Sequence, residues 1–213
     1  MHLQYKKGRG RDSGAEERQL KHSLDEDLEL VRRAQGDRVA TEQLMTRLAP
    51  QVRHAVVMAV GRNQEAEDLT HICLLEILEN LNSFKGIGSV DAWAGRLAYR
   101  VLMRHLSRQR REERTVAVSP LDIGESVDNP EFESTRLKLR DILALHLQKL
   151  PENRRMTLIL RLAYQYSVTE VAETMGVPVN TVRDRIRIGL KELRQSILRD
   201  PQAKDFLKGN CDE

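Results

Sequence analysis

The sequence predicts an all-α protein built as two small helical bundles joined by an acidic linker, the C-terminal bundle holding a helix-turn-helix. Aromatic residues are only 4% of the 213, so the 40% of apolar residues comes mainly from Leu, Val, Ile, Ala and Met. That palette favours helix over strand. Prolines number six, and no Asn-Gly or Asp-Gly hairpin signal occurs. Apolar residues recur at helical spacing over long stretches, and no segment alternates cleanly.

Residues 1–23 are polar and rich in Gly, Arg and Ser, which reads as a flexible arm whose Lys6, Lys7, Arg9 and Arg11 suit weak phosphate contact. Order is expected from Leu24. Leu28, Val31, Leu44, Met45 and Leu48 recur at helical spacing, and Gln35, Gly36 and Asp37 break the run as a helix–helix turn. A second helix from about Val39 carries Val52, Val56, Val57 and Val60 and ends at Gly61. A third begins near Glu65; Glu65, Glu67 and Asp68 in its first turn complement the helix dipole. A loop spans 83–89, and Asp91 opens an Arg-rich helix that runs past Arg108. The apolar period then fails over 112–135, where Pro120, Gly124 and Pro130 punctuate an acidic stretch too long for an ordinary loop. This sets the expected organisation: a folded unit over 24–111, a linker over 112–135, a second unit over 136–199 and a tail over 200–213. In the second unit Leu137, Leu139, Ile142, Leu143, Leu147 and Leu150 form a helix closed by Pro151, and three helices follow.

Net charge is only +3, which excludes a uniformly basic binder. The charges are sorted instead. Residues 96–111 hold six arginines and no acid, whereas 115–135 hold Asp122, Glu125, Asp128, Glu131 and Glu133 and no Lys or Arg. Such sorting implies separate surfaces for separate partners. Cys73 and Cys211 form no Cys-x-x-Cys pair, and the six histidines show no ligand spacing. No Gly-rich phosphate cradle or nucleophile motif is present. No metal site, cofactor, catalytic residue or enzymatic activity is therefore expected. The polar start gives no secretory signal, and no apolar run approaches the ~20 residues of a membrane span; a reducing cytoplasm is the expected setting.

The strongest motif lies between Ser167 and Leu193. Ser167 and Glu170 make a capping box. Ala172, Gly176 and Val182 then fall at helix-turn-helix spacing: a small residue where helices cross, a left-handed turn, and an apolar anchor. On the second helix Val179, Val182, Ile186 and Leu190 are expected to face the core. Asn180, Thr181, Asp184 and Arg187 point away, flanked by Arg183 and Arg185, as base-reading and phosphate-binding groups would. An ordinary helical hairpin with a solvated face is the plainer alternative.

Arg96, Arg100, Arg104 and Arg108 recur every four residues opposite Leu97, Val101, Leu102 and Leu106. Stacked like charges repel, so an anion is the expected counterpart, against the alternative of a solvated basic face. Phe84 and Trp93 bracket the preceding loop. Trp93 reads as a core anchor, and Phe84, beside Lys85, as the candidate to stack on an unpaired base.

Together these residues resemble the bacterial RNA polymerase sigma factors of the extracytoplasmic-function type, which keep two domains, region 2 and region 4. The resemblance covers about 24–199. It rests on Glu65-Ala66-Glu67-Asp68-Leu69-Thr70, on Leu81-Asn82-Ser83-Phe84-Lys85-Gly86 with Ala92-Trp93 and the Arg helix, and on Leu150-Pro151-Glu152 with the motif ending Thr181-Val182-Arg183. It implies that Asp68, Leu69, His71, Leu75 and Glu76 dock on core RNA polymerase. It implies that Phe84, Lys85, Arg96, Arg100, Arg104 and Arg108 hold the minus-ten element of promoter DNA. The set Asn180, Thr181, Arg183, Asp184, Arg185 and Arg187 then reads the minus-thirty-five element, and an anti-sigma factor becomes a further partner. Four departures stand out: His71-Ile72 where Gln-Glu is usual, Arg100 for a common Asn, Asp184 for Ser, and Ile188-Gly189-Leu190 for Arg-Ala-Arg. These imply a divergent member with weak intrinsic promoter affinity. A stand-alone helix-turn-helix regulator of duplex operators is the alternative; it explains the C-terminal motif but not the Arg stripe, the aromatic loop or the acidic linker.

Overall fold

A computed structural model describes residues 13–115, 131–201, 203 and 204, with side chains described for 24–112, 138–201, 203 and 204. Among them are eight α-helices and no strand: α1 (Ser13–Ala34), α2 (Arg38–Val60), α3 (Gln64–Glu79), α4 (Val90–Thr115), α5 (Glu131–Gln148), α6 (Glu152–Leu162), α7 (Val168–Met175) and α8 (Val179–Arg199). The all-α expectation is met.

Local chemistry sets the helix starts. Asp37 caps α2 by accepting from the Val39 amide at 2.9 Å, and Asn63 caps α3 by accepting from Ala66 at 2.9 Å. The start of α4 is capped from another helix. Asp27 of α1, only 2% exposed, accepts from the Val90 amide at 2.9 Å and from Arg47 at 2.6 Å, while Arg47 also reaches Asp91 at 2.8 Å. A buried carboxylate with these partners fixes where the Arg-rich helix begins.

Three boundaries differ from the sequence reading. Helix α1 begins at Ser13, inside the expected arm; Glu16, Glu17, Gln19, Leu20 and Lys21 are strong helix formers that the Gly- and Arg-rich opening masked. Helix α4 reaches Thr115 and α5 starts at Glu131, so helix covers both ends of the expected linker. Asp122, Glu125 and Asp128 lie outside the described residues, as does Cys211.

The two bundles pack together. Helix α5 lies on α2, and one buried cluster runs from Val31 and Leu44 through Leu102 to Leu158 and Val182. Polar contacts stitch the join: Arg62 to Asp141 at 2.7 Å, Arg110 to Glu152 at 3.1 Å, and the Gln51 amide to the Ala163 carbonyl at 3.4 Å. Tyr164 and Tyr166, from the α6–α7 turn, press onto Gly95 of α4, and Tyr166 donates to the Ala92 carbonyl. Charge sorting marked the units as distinct, but it held no information about this apolar seam.

Candidate docking face and nucleic-acid interface

Helix α3 turns Ala66, Leu69, Thr70, Cys73 and Ile77 into the core. Its other side carries Ile72, Leu75 and Leu78 at 48%, 55% and 38% exposure, with the exposed Asp68, His71 and Glu79 around them. The spacing of three residues makes one apolar stripe rimmed by charge, uncovered among the described residues. An exposed row of large aliphatics is a candidate surface for a partner. Leu69 is only 4% exposed, so it supports this face from beneath. Glu76 pairs with Arg104 at 2.7 Å. Burial pushes the Cys73 thiol up to about 12, so it is an inert core residue at neutral pH.

Helix α4 buries Leu97, Val101, Leu102 and Leu106, as the sequence pattern requires. Arg100, Arg104 and Arg108 are exposed on the other side, and Arg96 is half-buried. Arg104 is held by Glu76, and Arg108 lies 3.5 Å from Glu112. The Arg108–Glu112 pair is largely open to water, and such pairs contribute little stability, whereas Glu76 is half-buried beside an exposed Arg104. Both pairs leave the arginines available to a stronger anion.

Phe84 does not lie at the surface as expected. It is 6% exposed, its ring centroid 5.5 Å from that of Trp93, and the Trp93 indole donates to the Ser83 hydroxyl at 3.2 Å. The short 3-10 turn at Leu81–Ser83 swings the ring inward, where aromatic packing outweighs the polarity of the loop. The loop's exposed residues include Lys85 and Ile87, the latter 79% exposed between Gly86 and Gly88 at φ 70 and 78.

The helix-turn-helix forms as the sequence predicts. Ser167 accepts from the Glu170 amide at 3.2 Å and Glu170 accepts from the Ser167 amide at 2.8 Å. Gly176 takes the left-handed φ of 64 that ends α7, and Ala172 and Val182 are buried where the helices cross. One core position is corrected. Leu190 is 43% exposed, and Gly189 and Leu193 take the buried side. At Gly189 a Cβ would lie 3.2 Å from Leu158, so α6 crosses over the glycine and displaces the seam by one residue. Asn180, Arg183, Asp184 and Arg187 are exposed; Thr181 and Arg185 are half-buried. Burial raises the Tyr99 phenol, opposed by the Arg185 charge.

Sigma-70 region 2 matches residues 44–112, and Sigma-70, region 4 matches residues 140–193. The two fall on the Arg-rich bundle and on the helix-turn-helix bundle. The chain belongs to the sigma-70 family.

It is a sigma factor of the extracytoplasmic-function type, a DNA-binding factor that directs transcription initiation; sigma factors bind core RNA polymerase. Among curated relatives, the RNA polymerase sigma-H factor of Pseudomonas aeruginosa is 27% identical over 188 residues, covering 83% of this chain and 97% of that protein. The ECF RNA polymerase sigma-E factor of Escherichia coli is 29% identical over 169 residues, covering 74% of this chain and 86% of that protein. Two solved structures share the fold. CnrH in complex with the cytosolic domain of CnrY aligns at TM-score 0.60 and 22% identity, covering 82% of this chain and 98% of that one. The sigma factor RpoE in complex with the anti-sigma factor NepR from Bartonella quintana aligns at TM-score 0.56 and 20% identity, covering 75% and 98%.

The stand-alone regulator reading is not favoured, because it leaves the region 2 match unexplained. Sequence reasoning missed Ile72 and Leu78 on the α3 stripe, Ile87 at the loop tip, and the Tyr164–Tyr166 pair. The stripe was findable: Ile72, Leu75 and Leu78 stand on the far side of α3 from Leu69, Cys73 and Ile77, more apolar surface than one core can use. The tyrosine contact with Gly95 joins residues about seventy positions apart, and no local pattern announces it. No helix among the described residues is long and apolar enough to cross a membrane.

Proposed function

We propose that the factor divides initiation among three surfaces and performs no chemistry of its own. The α3 stripe, with Asp68, His71 and Leu75 at its centre and Glu76 at its edge, docks on core polymerase. Lys85 and Ile87 at the loop tip, with Arg96, Arg100, Arg104 and Arg108, hold the melted minus-ten strand; Phe84 and Trp93 form the floor beneath that loop. The recognition helix α8 reads the minus-thirty-five duplex. The uncovered stripe of Ile72, Leu75 and Leu78 is the observation that carries this division, since it lies on the helix that resembles the polymerase-binding one. The setting is the cytoplasm, where RNA polymerase works. An anti-sigma factor is the expected antagonist, a reading supported by the complexes of CnrH with CnrY and of RpoE with NepR.

The packed arrangement is a resting one. Elements about 25 base pairs apart lie roughly 85 Å apart along B-form DNA. Here α4 and α8 belong to units that touch through Tyr166 and Ala92. The units must part before both elements are held, and polymerase docking supplies the free energy.

The test mixes the full chain with purified core polymerase and a promoter library. Stable one-to-one association and initiation from a subset of promoters are expected. Operator binding without polymerase, and no association with core, would overturn the assignment.

A further inference from the structure

The outward face of α8 carries an anomaly: an acid at its centre. Asn180, Asp184, Arg187 and Lys191 share one side of the helix, opposite Val182 and Gly189, which are buried. An isolated carboxylate on a DNA-facing surface repels phosphate. Asp184 is not isolated. Its Oδ1 accepts from Arg187 Nη2 at 3.1 Å, and both side chains stay open to solvent at 64% and 72% exposure. A three-residue-spaced pair so exposed adds little to helix stability. Its geometry suits another task.

We propose that Asp184 and Arg187 act together as one reading head for a single C·G base pair in the upstream promoter element. The proposal rests on the assignment of α8 to that element and deepens it. In the major groove a C·G pair presents the cytosine N4 amino donor, then the guanine O6 and N7 acceptors. N4 and O6 are themselves joined by a Watson–Crick hydrogen bond, so they sit about 2.9 Å apart. The Asp184 acceptor and the Arg187 donor are 3.1 Å apart. An acceptor beside a fork of donors therefore meets a donor beside two acceptors at matching spacing. Asp184 accepts from N4; Arg187 donates to O6 and N7.

The same pair reads other base pairs less well. An A·T pair offers a donor flanked by single acceptors, so the guanidinium finds N7 alone, or O4 followed by the thymine methyl. One of its N–H groups is then left without an acceptor. A reversed G·C pair swaps donor and acceptors, setting Asp184 against guanine oxygen. Salt pairing in the free protein also pre-orders the two side chains and keeps the centre of the face near neutral, while the exposed Arg183 and Arg194 remain for phosphates.

The experiment uses polymerase reconstituted with the full chain and a promoter pool randomised across the upstream element, with bound DNA sequenced. The wild-type factor is expected to select C·G at one position. Asp184→Ala and Arg187→Ala are each expected to lose that preference at the same position, by on the order of tenfold. Asp184→Asn is expected to shift it towards A·T, because an amide pairs with adenine N6 and N7. An unchanged profile in Asp184→Ala, or relaxation at two different positions, overturns the reading head while leaving the assignment of α8 intact. Absence of any upstream preference in the wild type overturns that assignment as well.

Discussion

Tyr166, at the turn between α6 and α7, donates its phenolic hydrogen to the carbonyl of Ala92 in the first turn of the Arg-rich helix. The bond joins the stretch that matches region 4 to the one that matches region 2, one turn before Arg96. Tyr166 is 2% exposed and Tyr164 beside it 7%, their rings 5.7 Å apart. Burial raises both phenols well above their ordinary range, so both remain protonated and Tyr166 remains a donor. The two rings fit because Gly95 offers no side chain.

Gly95→Ala is expected to open the domains without unfolding them. A Cβ there would collide with the Tyr166 hydroxyl and lie 2.7 Å from a Tyr164 ring carbon. Both rings are buried in the seam. Alanine meanwhile favours the helix interior by up to about 1 kcal/mol over glycine. Helix content measured by circular dichroism should hold or rise, while small-angle scattering reports a larger radius of gyration. A variant as compact as the wild type would show that the seam tolerates the methyl group and that the tyrosines do not hold it.

Leu75→Asp should abolish stable binding to core polymerase while leaving the melting temperature close to that of the wild type. The side chain is 55% exposed, so little burial is lost in the free protein. A central interface residue that acts as a hot spot costs about 2 kcal/mol or more when truncated, roughly thirtyfold in affinity. An added buried charge raises that cost. Gel filtration with core enzyme separates the outcomes, and Leu69→Ala is the contrast: it should lower stability first, because Leu69 faces inward.

The helix pattern, the capping box of the helix-turn-helix and the Arg stripe were legible because each is a local matter of spacing and hydrogen bonding. Ser167 and Glu170 announce their capping box within four residues. Phe84 was not legible. A single aromatic among glycines, Lys and Ser has two plausible homes, and the choice depends on Trp93, nine positions away and one helix further on. Leu190 failed for a related reason: periodicity marks a face but cannot tell which residue a crossing helix touches, and α6 chose Gly189. The closed arrangement was least legible of all, since Tyr166, Gly95 and Ala92 share no motif.

Mild acid should weaken the fold through His54 and His146. Burial lowers the His54 pKa, helped by the Arg140 charge. Burial also lowers that of His146, with Lys149 adding to it and Asp200, 3.2 Å away, opposing it. A histidine whose folded value is depressed binds protons more readily when unfolded. The folded chain is therefore favoured above the ordinary value of about 6.5, and that advantage is lost as pH falls through it. Urea midpoints at about pH 7.5 and about pH 5.8 should show the lower one at the acid end. His54→Gln should flatten the difference, and a midpoint that rises on acidification would contradict the assignment.

Removing arginines from α4 should change the salt dependence of promoter complexes more than their affinity at one salt. Each phosphate left without its arginine lowers the slope of log affinity against log salt by about 0.7 on a single strand and by about 0.9 on duplex. Arg100 makes no ion pair among the described residues, so Arg100→Ala should show the full change. Arg104 must leave Glu76, 2.7 Å away, to reach DNA. Glu76 is half-buried, so breaking this pair costs more than breaking an open one, and Arg104→Ala should fall short of Arg100→Ala. Glu76→Ala should release Arg104 and strengthen the promoter complex once polymerase is already bound, although it weakens docking on polymerase itself. Measuring both steps separately distinguishes the two roles proposed for this one carboxylate. Equal slopes in the wild type and an Arg100→Ala, Arg104→Ala double variant would remove α4 from the DNA interface.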